Sequence, residues 1–140
     1  MRSYESRALV DAAPEKVWTV LKDIGGWSSW NSGVLGVDGQ LEPGQKLTIR
    51  SSASPGRAFP VQVSVVDPGR RIELRGGMPL GLFRGVRTYT LRPQSDQSTL
   101  FTMREEFTGP LLPMMWRSMP DLQPSFDQFA RGLKERVEAH

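Results

Sequence analysis

Three Pro-Gly pairs punctuate the middle of this chain at 12- and 13-residue intervals: Pro43-Gly44, Pro55-Gly56 and Pro68-Gly69. Proline presets the first central position of a type II turn, and glycine supplies the positive φ of the second. Between the pairs lie short alternating runs rich in β-branched residues: Leu47 to Arg50, Val61 to Val65 and Arg71 to Arg75. Two further runs, Arg84 to Arg92 and Ser98 to Phe107, flank a turn expected to contain Pro93 and Asp96. Strands this short, joined this tightly, predict an antiparallel meander. A first strand over Tyr4 to Val10 precedes it.

Helical signals stand at both ends of the meander. Pro14 suits a first helical position, and Val17, Trp18, Leu21 and Ile24 form an apolar stripe closed by Gly25-Gly26. A second short helical turn is expected over Trp27 to Trp30. Near the C-terminus Phe126, Phe129, Ala130, Leu133 and Val137 recur at helical spacing, with Arg131, Lys134, Glu135 and Arg136 opposite them. Pro120 and Pro124 should break any helix attempting to run from Leu111 to Val137. The order strand, two short helices, meander, long helix predicts an α+β fold in which a curved antiparallel sheet packs on the last helix. With 140 residues and no linker or repeat, residues 1–140 are expected to form a single domain.

Strand alternation sorts the meander into two faces. Leu47, Ile49, Val61, Val63, Val65, Ile72, Leu74, Tyr89, Leu91, Phe101, Met103 and Phe107 share the apolar face. Lys46, Thr48, Arg50, Gln62, Ser64, Arg71, Glu73, Arg75, Arg84, Thr88, Thr90, Thr102, Arg104 and Glu106 share the wet one. Two charges break the pattern: Arg87 and Glu105 have the parity of Tyr89 and Met103. If Tyr89 pairs with Met103, Arg87 lies opposite Glu105, which a buried charge requires of its neighbour. Such a pair is either a self-satisfied ion pair at the sheet margin or a polar anchor inside an apolar cavity.

The residues present exclude much chemistry. There is no cysteine, and the single histidine is the terminal His140, expected to be disordered. Thiolate, Ser–His and histidine-rich metal sites are thereby removed, and no cofactor or metal is expected. Neither GxxxxGK[ST] nor GxGxxG occurs. Glu105, Glu106, Asp23, Asp121, Tyr4 and Tyr89 remain for acid–base work. The net charge is only +3, and its arginines are scattered at strand spacing, so no nucleic-acid partner is expected. No apolar run has the length of a signal peptide or membrane span, and the expected location is cytoplasmic. Nothing in the pattern sets an oligomeric state. Soft apolar residues collect in two segments, Met78 to Phe83 and Leu111 to Met119. Core packing, pocket lining and membrane contact are all open to them.

The chain resembles the START-like (SRPBCC) superfamily, in its polyketide cyclase/dehydrase and lipid-transport branch. Ala13-Pro14-Glu15-Lys16-Val17-Trp18 is similar to that family's strand-to-helix junction, and Trp27-Ser28-Ser29-Trp30-Asn31 to its aromatic-x-x-Trp-Asn segment. Leu82-Phe83-Arg84-Gly85 with Tyr89-Thr90-Leu91 resembles its central strand. The run from Thr99 to Gly109 resembles its last strand, and Leu133 to Glu138 its helix end. The resemblance implies the helix-grip fold, with a cavity between sheet and C-terminal helix. Trp30, Phe83, Arg87, Tyr89, Phe101, Met103, Glu105, Met115, Phe126 and Phe129 are the expected ligand-binding residues. The expected function is binding or transport of a small apolar molecule (a lipid, polyketide or aromatic compound) without defined catalysis. A cyclase/dehydratase-type enzyme using Arg87, Tyr89 and Glu105 is the first alternative. An interaction module with transient membrane contact, or contact with another protein, is the second.

Overall fold

The computed structural model describes residues 2–52, 54 and 56–139. The Pro55 half of the second Pro-Gly pair and the expected disorder of His140 lie outside these residues. Seven antiparallel strands form one sheet: β1 (Arg2–Val10), β2 (Val34–Asp38), β3 (Lys46–Ser51), β4 (Ala58–Asp67), β5 (Arg71–Gly77), β6 (Arg84–Ser95) and β7 (Ser98–Thr108). Their spatial order is β1-β7-β6-β5-β4-β3-β2, so every meander strand neighbours its sequence neighbour, and β1 closes onto β7. Gly44 (φ 89°) and Gly69 (φ 78°) adopt the positive φ that their turns require.

Three helices complete the chain: α1 (Pro14–Lys22), α2 (Leu112–Ser118) and α3 (Gln123–Glu138). A 3₁₀ segment over Ile24–Ser29 follows α1, and Trp30 beyond it is extended. Pro14 opens α1, whose Val17, Trp18 and Leu21 are buried. The Trp27 indole donates to the Leu21 carbonyl at 3.0 Å, tying the 3₁₀ segment beneath α1. The break between α2 and α3 falls at Met119-Pro120. Met119 is extended (φ −79°, ψ 141°), the conformation proline imposes on the residue before it, while Pro124 sits in the first turn of α3.

The concave face of the sheet holds the core against α3. Leu47, Val63, Ile72, Leu74, Tyr89, Leu91, Phe101 and Met103 meet Phe126, Phe129, Ala130, Leu133 and Val137, all buried. Helix α3 also protects the open edge of β1. Gln123 donates to the Glu5 carbonyl (2.8 Å), Lys134 to the Leu9 carbonyl (2.7 Å), and Glu138 accepts from the Asp11 amide (2.8 Å). These bonds occupy backbone groups that an edge strand otherwise offers to another chain.

Four details correct the sequence reading. Strand β2 was not expected. The turn between β6 and β7 contains Asp96 as expected but not Pro93, because β6 continues through Pro93 to Ser95 with a register shift there. A bulge between Val63 and Val65 puts Val65 opposite Glu73 on the outer face and hands its inward place to Val66, opposite Ile72. Glu73 stands on the outer face as expected but is not wet. It is 8% exposed, covered by Arg71 and Arg75 and accepting from Ser64 at 2.7 Å.

Candidate functional site

Register builds the site. Across β1, β7, β6 and β5, one inward row reads Tyr4, Glu105, Arg87, Leu74, and the next reads Ser6, Met103, Tyr89, Ile72. Tyr89 pairs with Met103, and Arg87 therefore faces Glu105. Arg87 donates from Nε (3.1 Å) and Nη2 (2.8 Å) to the same oxygen, Glu105 Oε1. Residual side-chain exposure is 24% for Arg87 and 14% for Glu105, so the pair is sheltered but not sealed. The Arg87 guanidinium also lies 4.9 Å from the centre of the Phe126 ring, a cation–π contact. Gly85 makes room for the other carboxylate oxygen, because a Cβ there would lie 2.8 Å from Glu105 Oε2.

The ion pair separates two apolar clusters. On one side, Trp27, Tyr89, Phe101 and Phe129 pack ring against ring, with centroids 5.0–6.4 Å apart. On the other, Phe83, Phe107 and Leu112 are buried beneath Met115, Trp116 and Met119 of the α2 segment. Tyr4 bridges the two, stacking on Trp116 at 5.2 Å and meeting Phe126 at 5.9 Å. Helix α2 is thus the roof over the polar pair.

Tyr89 is the anomaly. It is fully buried, and its hydroxyl makes no hydrogen bond of good geometry among the described residues, although the Arg87 guanidinium lies close enough to interact with its oxygen. Burial pushes the phenol above its ordinary pKa, and the Arg87 guanidinium nearby offsets only part of that. The group is therefore a protonated donor at neutral pH. Burial opposes the charge on Arg87, but the charge and hydrogen bonds of Glu105 outweigh it and hold the guanidinium above its ordinary pKa. Arg87 thus stays charged beside a phenol that stays neutral. Two donors and one satisfied carboxylate suit the recognition of an acceptor oxygen.

The other expected site residues divide among these surroundings. Phe101, Met103, Phe126 and Phe129 are buried in the main cluster, and Trp30 packs on Phe129 from its margin at 5.2 Å. Phe83 and Met115 belong to the second cluster. Tyr4 and Trp116 were missed as site residues. Tyr4 was noted only for its hydroxyl, although its inward parity in β1 was the available signal. Of the other acid–base candidates, Glu106 pairs with Arg104 on the outer face (3.1 Å), while Asp23 and Asp121 are exposed. Two surface clefts, of about 300 Å³ beside Phe83 and Met78 and about 580 Å³ beside Pro14 and Arg92, do not include Arg87, Tyr89 or Glu105. The polar group lies beneath the surface instead.

A curled antiparallel sheet gripping a C-terminal helix defines the helix-grip, START-like class of domain. The chain belongs to the polyketide cyclase/dehydrase and lipid transport family, whose sequence model matches residues 1–138. Its fold is similar to that of the Zhui aromatase/cyclase from Streptomyces sp. R1128 (TM-score 0.76, 17% identity, 98% of this chain and 93% of that one). A START superfamily protein from Mycobacterium smegmatis is also similar (TM-score 0.68, 17% identity, 98% and 97%). The di-domain ARO/CYC BexL of the BE-7585A biosynthetic pathway matches with TM-score 0.72 at 19% identity over 99% of this chain. This chain spans 47% of BexL, about half its length. A comparison with curated protein sequences finds no match. No helix among the described residues is long and apolar enough to cross a membrane.

Proposed function

We propose that this protein binds a small apolar molecule carrying an acceptor oxygen, held between the concave sheet and α3 with that oxygen at Tyr89 and Arg87. The observation that carries the reading is the Tyr89 hydroxyl, fully buried beside Arg87, with no acceptor for its own proton. An unsatisfied buried hydroxyl costs about 1–3 kcal/mol. A ligand carbonyl, ether or phenol oxygen supplies the missing acceptor and recovers that cost on binding. The aromatic surroundings suit a flat or ring-bearing molecule, and the family to which the chain belongs agrees with such a ligand. Binding without turnover is the simpler reading of these groups. A phenol held protonated donates a hydrogen bond, and Glu105 is engaged by Arg87 through Oε1.

The test compares two probes of equal shape. Titration with 2-acetylnaphthalene and 2-isopropenylnaphthalene, in which a CH2 replaces the ketone oxygen, isolates the contribution of that oxygen. The wild type should prefer the ketone by about 3- to 10-fold, the net worth of a neutral hydrogen bond. Tyr89→Phe should erase that preference while still binding the hydrocarbon. Equal affinity of the wild type for both probes would refute the reading.

A further inference from the structure

The connection between β5 and β6 contains the least economical residue in the molecule. Leu80 is 95% exposed and adopts φ 62°, ψ 21°, the left-handed region that a branched side chain avoids. Here backbone strain displays a large apolar side chain to solvent. Met78 (40%), Leu82 (36%) and Met114 (60%) are exposed as well. The two segments are joined, since Leu111 N donates to the Leu82 carbonyl at 2.9 Å. The result is an exposed apolar tip formed by the β5–β6 connection and the α2 segment.

Its charge is one-signed where the chain offers a choice. Arg84 lies against the tip, its guanidinium 3.7 Å from where a Cβ on Gly81 would stand, and Arg117 closes the last turn of α2. Both are exposed, and neither forms an ion pair among the described residues. The outer sheet face behaves differently, because there Arg71, Arg75 and Arg104 are matched to carboxylates. Unmatched arginines around exposed leucine and methionine make the chemistry of an interfacial anchor: the apolar groups enter the acyl boundary and the cations meet anionic headgroups.

We propose that this tip docks on an anionic lipid surface, with Leu80 and Met114 inserted and Arg84 and Arg117 at headgroup level. The proposal rests on the surface alone and holds whichever molecule the interior takes.

Flotation with phosphatidylcholine vesicles containing about 30% phosphatidylglycerol, against phosphatidylcholine alone, tests it. The wild type should float with the mixed vesicles and far less with the neutral ones. Leu80→Gly is the decisive variant, because glycine accepts φ 62° without strain while removing the inserted group. It should melt no lower than the wild type, yet partition about tenfold more weakly. Arg117→Gln should weaken partition about fivefold. The proposal is overturned if the wild type stays unbound, if it floats equally with both vesicle types, or if Leu80→Gly and Arg117→Gln float as the wild type does.

Discussion

Glu73 and Tyr89 occupy opposite faces of the same sheet and use burial in opposite ways. Burial alone would raise the Glu73 pKa, but hydrogen bonds from Ser64 and Arg75 and the charges of Arg75 and Arg71 outweigh it, so the carboxyl titrates below the ordinary 4.5. A depressed folded pKa contributes stability that is present above the unfolded value and lost as pH falls through the folded one. Glu73→Gln should therefore lower the melting temperature at pH 7 and flatten its decline between about pH 5 and pH 3. A variant whose acid decline matches the wild type's would show that Glu73 is not responsible for it. Tyr89 has no such satisfaction. Removing its unpartnered hydroxyl in Tyr89→Phe should leave stability unchanged or raise it by about 1 kcal/mol in denaturant titration. A loss above about 1 kcal/mol would reveal a structural partner for the hydroxyl and weaken its assignment to a ligand. The inward pair Arg87–Glu105 was legible from strand parity alone, whereas the missing partner of Tyr89 was not. Parity reports which face a side chain takes, and hydrogen-bond satisfaction depends on the final packing around it.

Helix α3 grips the sheet through Phe129, which is 2% exposed and has ring neighbours Trp27 (5.0 Å), Trp30 (5.2 Å), Tyr89 (5.5 Å) and Phe101 (6.0 Å). Phe129→Ala should cost about 3–5 kcal/mol, and a loss well under about 1 kcal/mol would mean that the helix is not held there. Helix α2 has seven residues and rests on the second cluster mainly through Leu112, Met115 and Trp116. It is separated from α3 by the extended joint at Met119-Pro120. Its amides should exchange with deuterium faster than those at the centre of α3, and equal protection would contradict a separable roof. The joint and the meander were readable because proline and glycine act locally. Strand β2 was not, because Val34-Leu35-Gly36-Val37-Asp38 is short and its register shifts between Val34 and Gly36, which hides the alternation. The bulge at Val63–Val65 reversed the parity of Val65 for the same reason.

The whole molecule concentrates its distinctive chemistry toward one end of the sheet. The α2 roof and the β5–β6 connection meet there, above the row of Tyr4, Glu105, Arg87 and Leu74. The interior beyond that row is apolar, with the rings of Trp27, Tyr89, Phe101 and Phe129 grouped beside the ion pair. The fold class and the inward ion pair could be inferred from the chain, because periodicity and turn residues encode them. The exposed tip at Leu80 could not, since its significance lies in a backbone angle that leucine's own preferences oppose. The most direct measurement of the central claim is a crystal structure of the protein with 2-acetylnaphthalene. The account predicts the ring between β6, β7 and α3, with the ketone oxygen within about 3.2 Å of Tyr89 Oη and turned toward Arg87. A ring seated only in a surface cleft, with Tyr89 Oη still unpartnered, would contradict it.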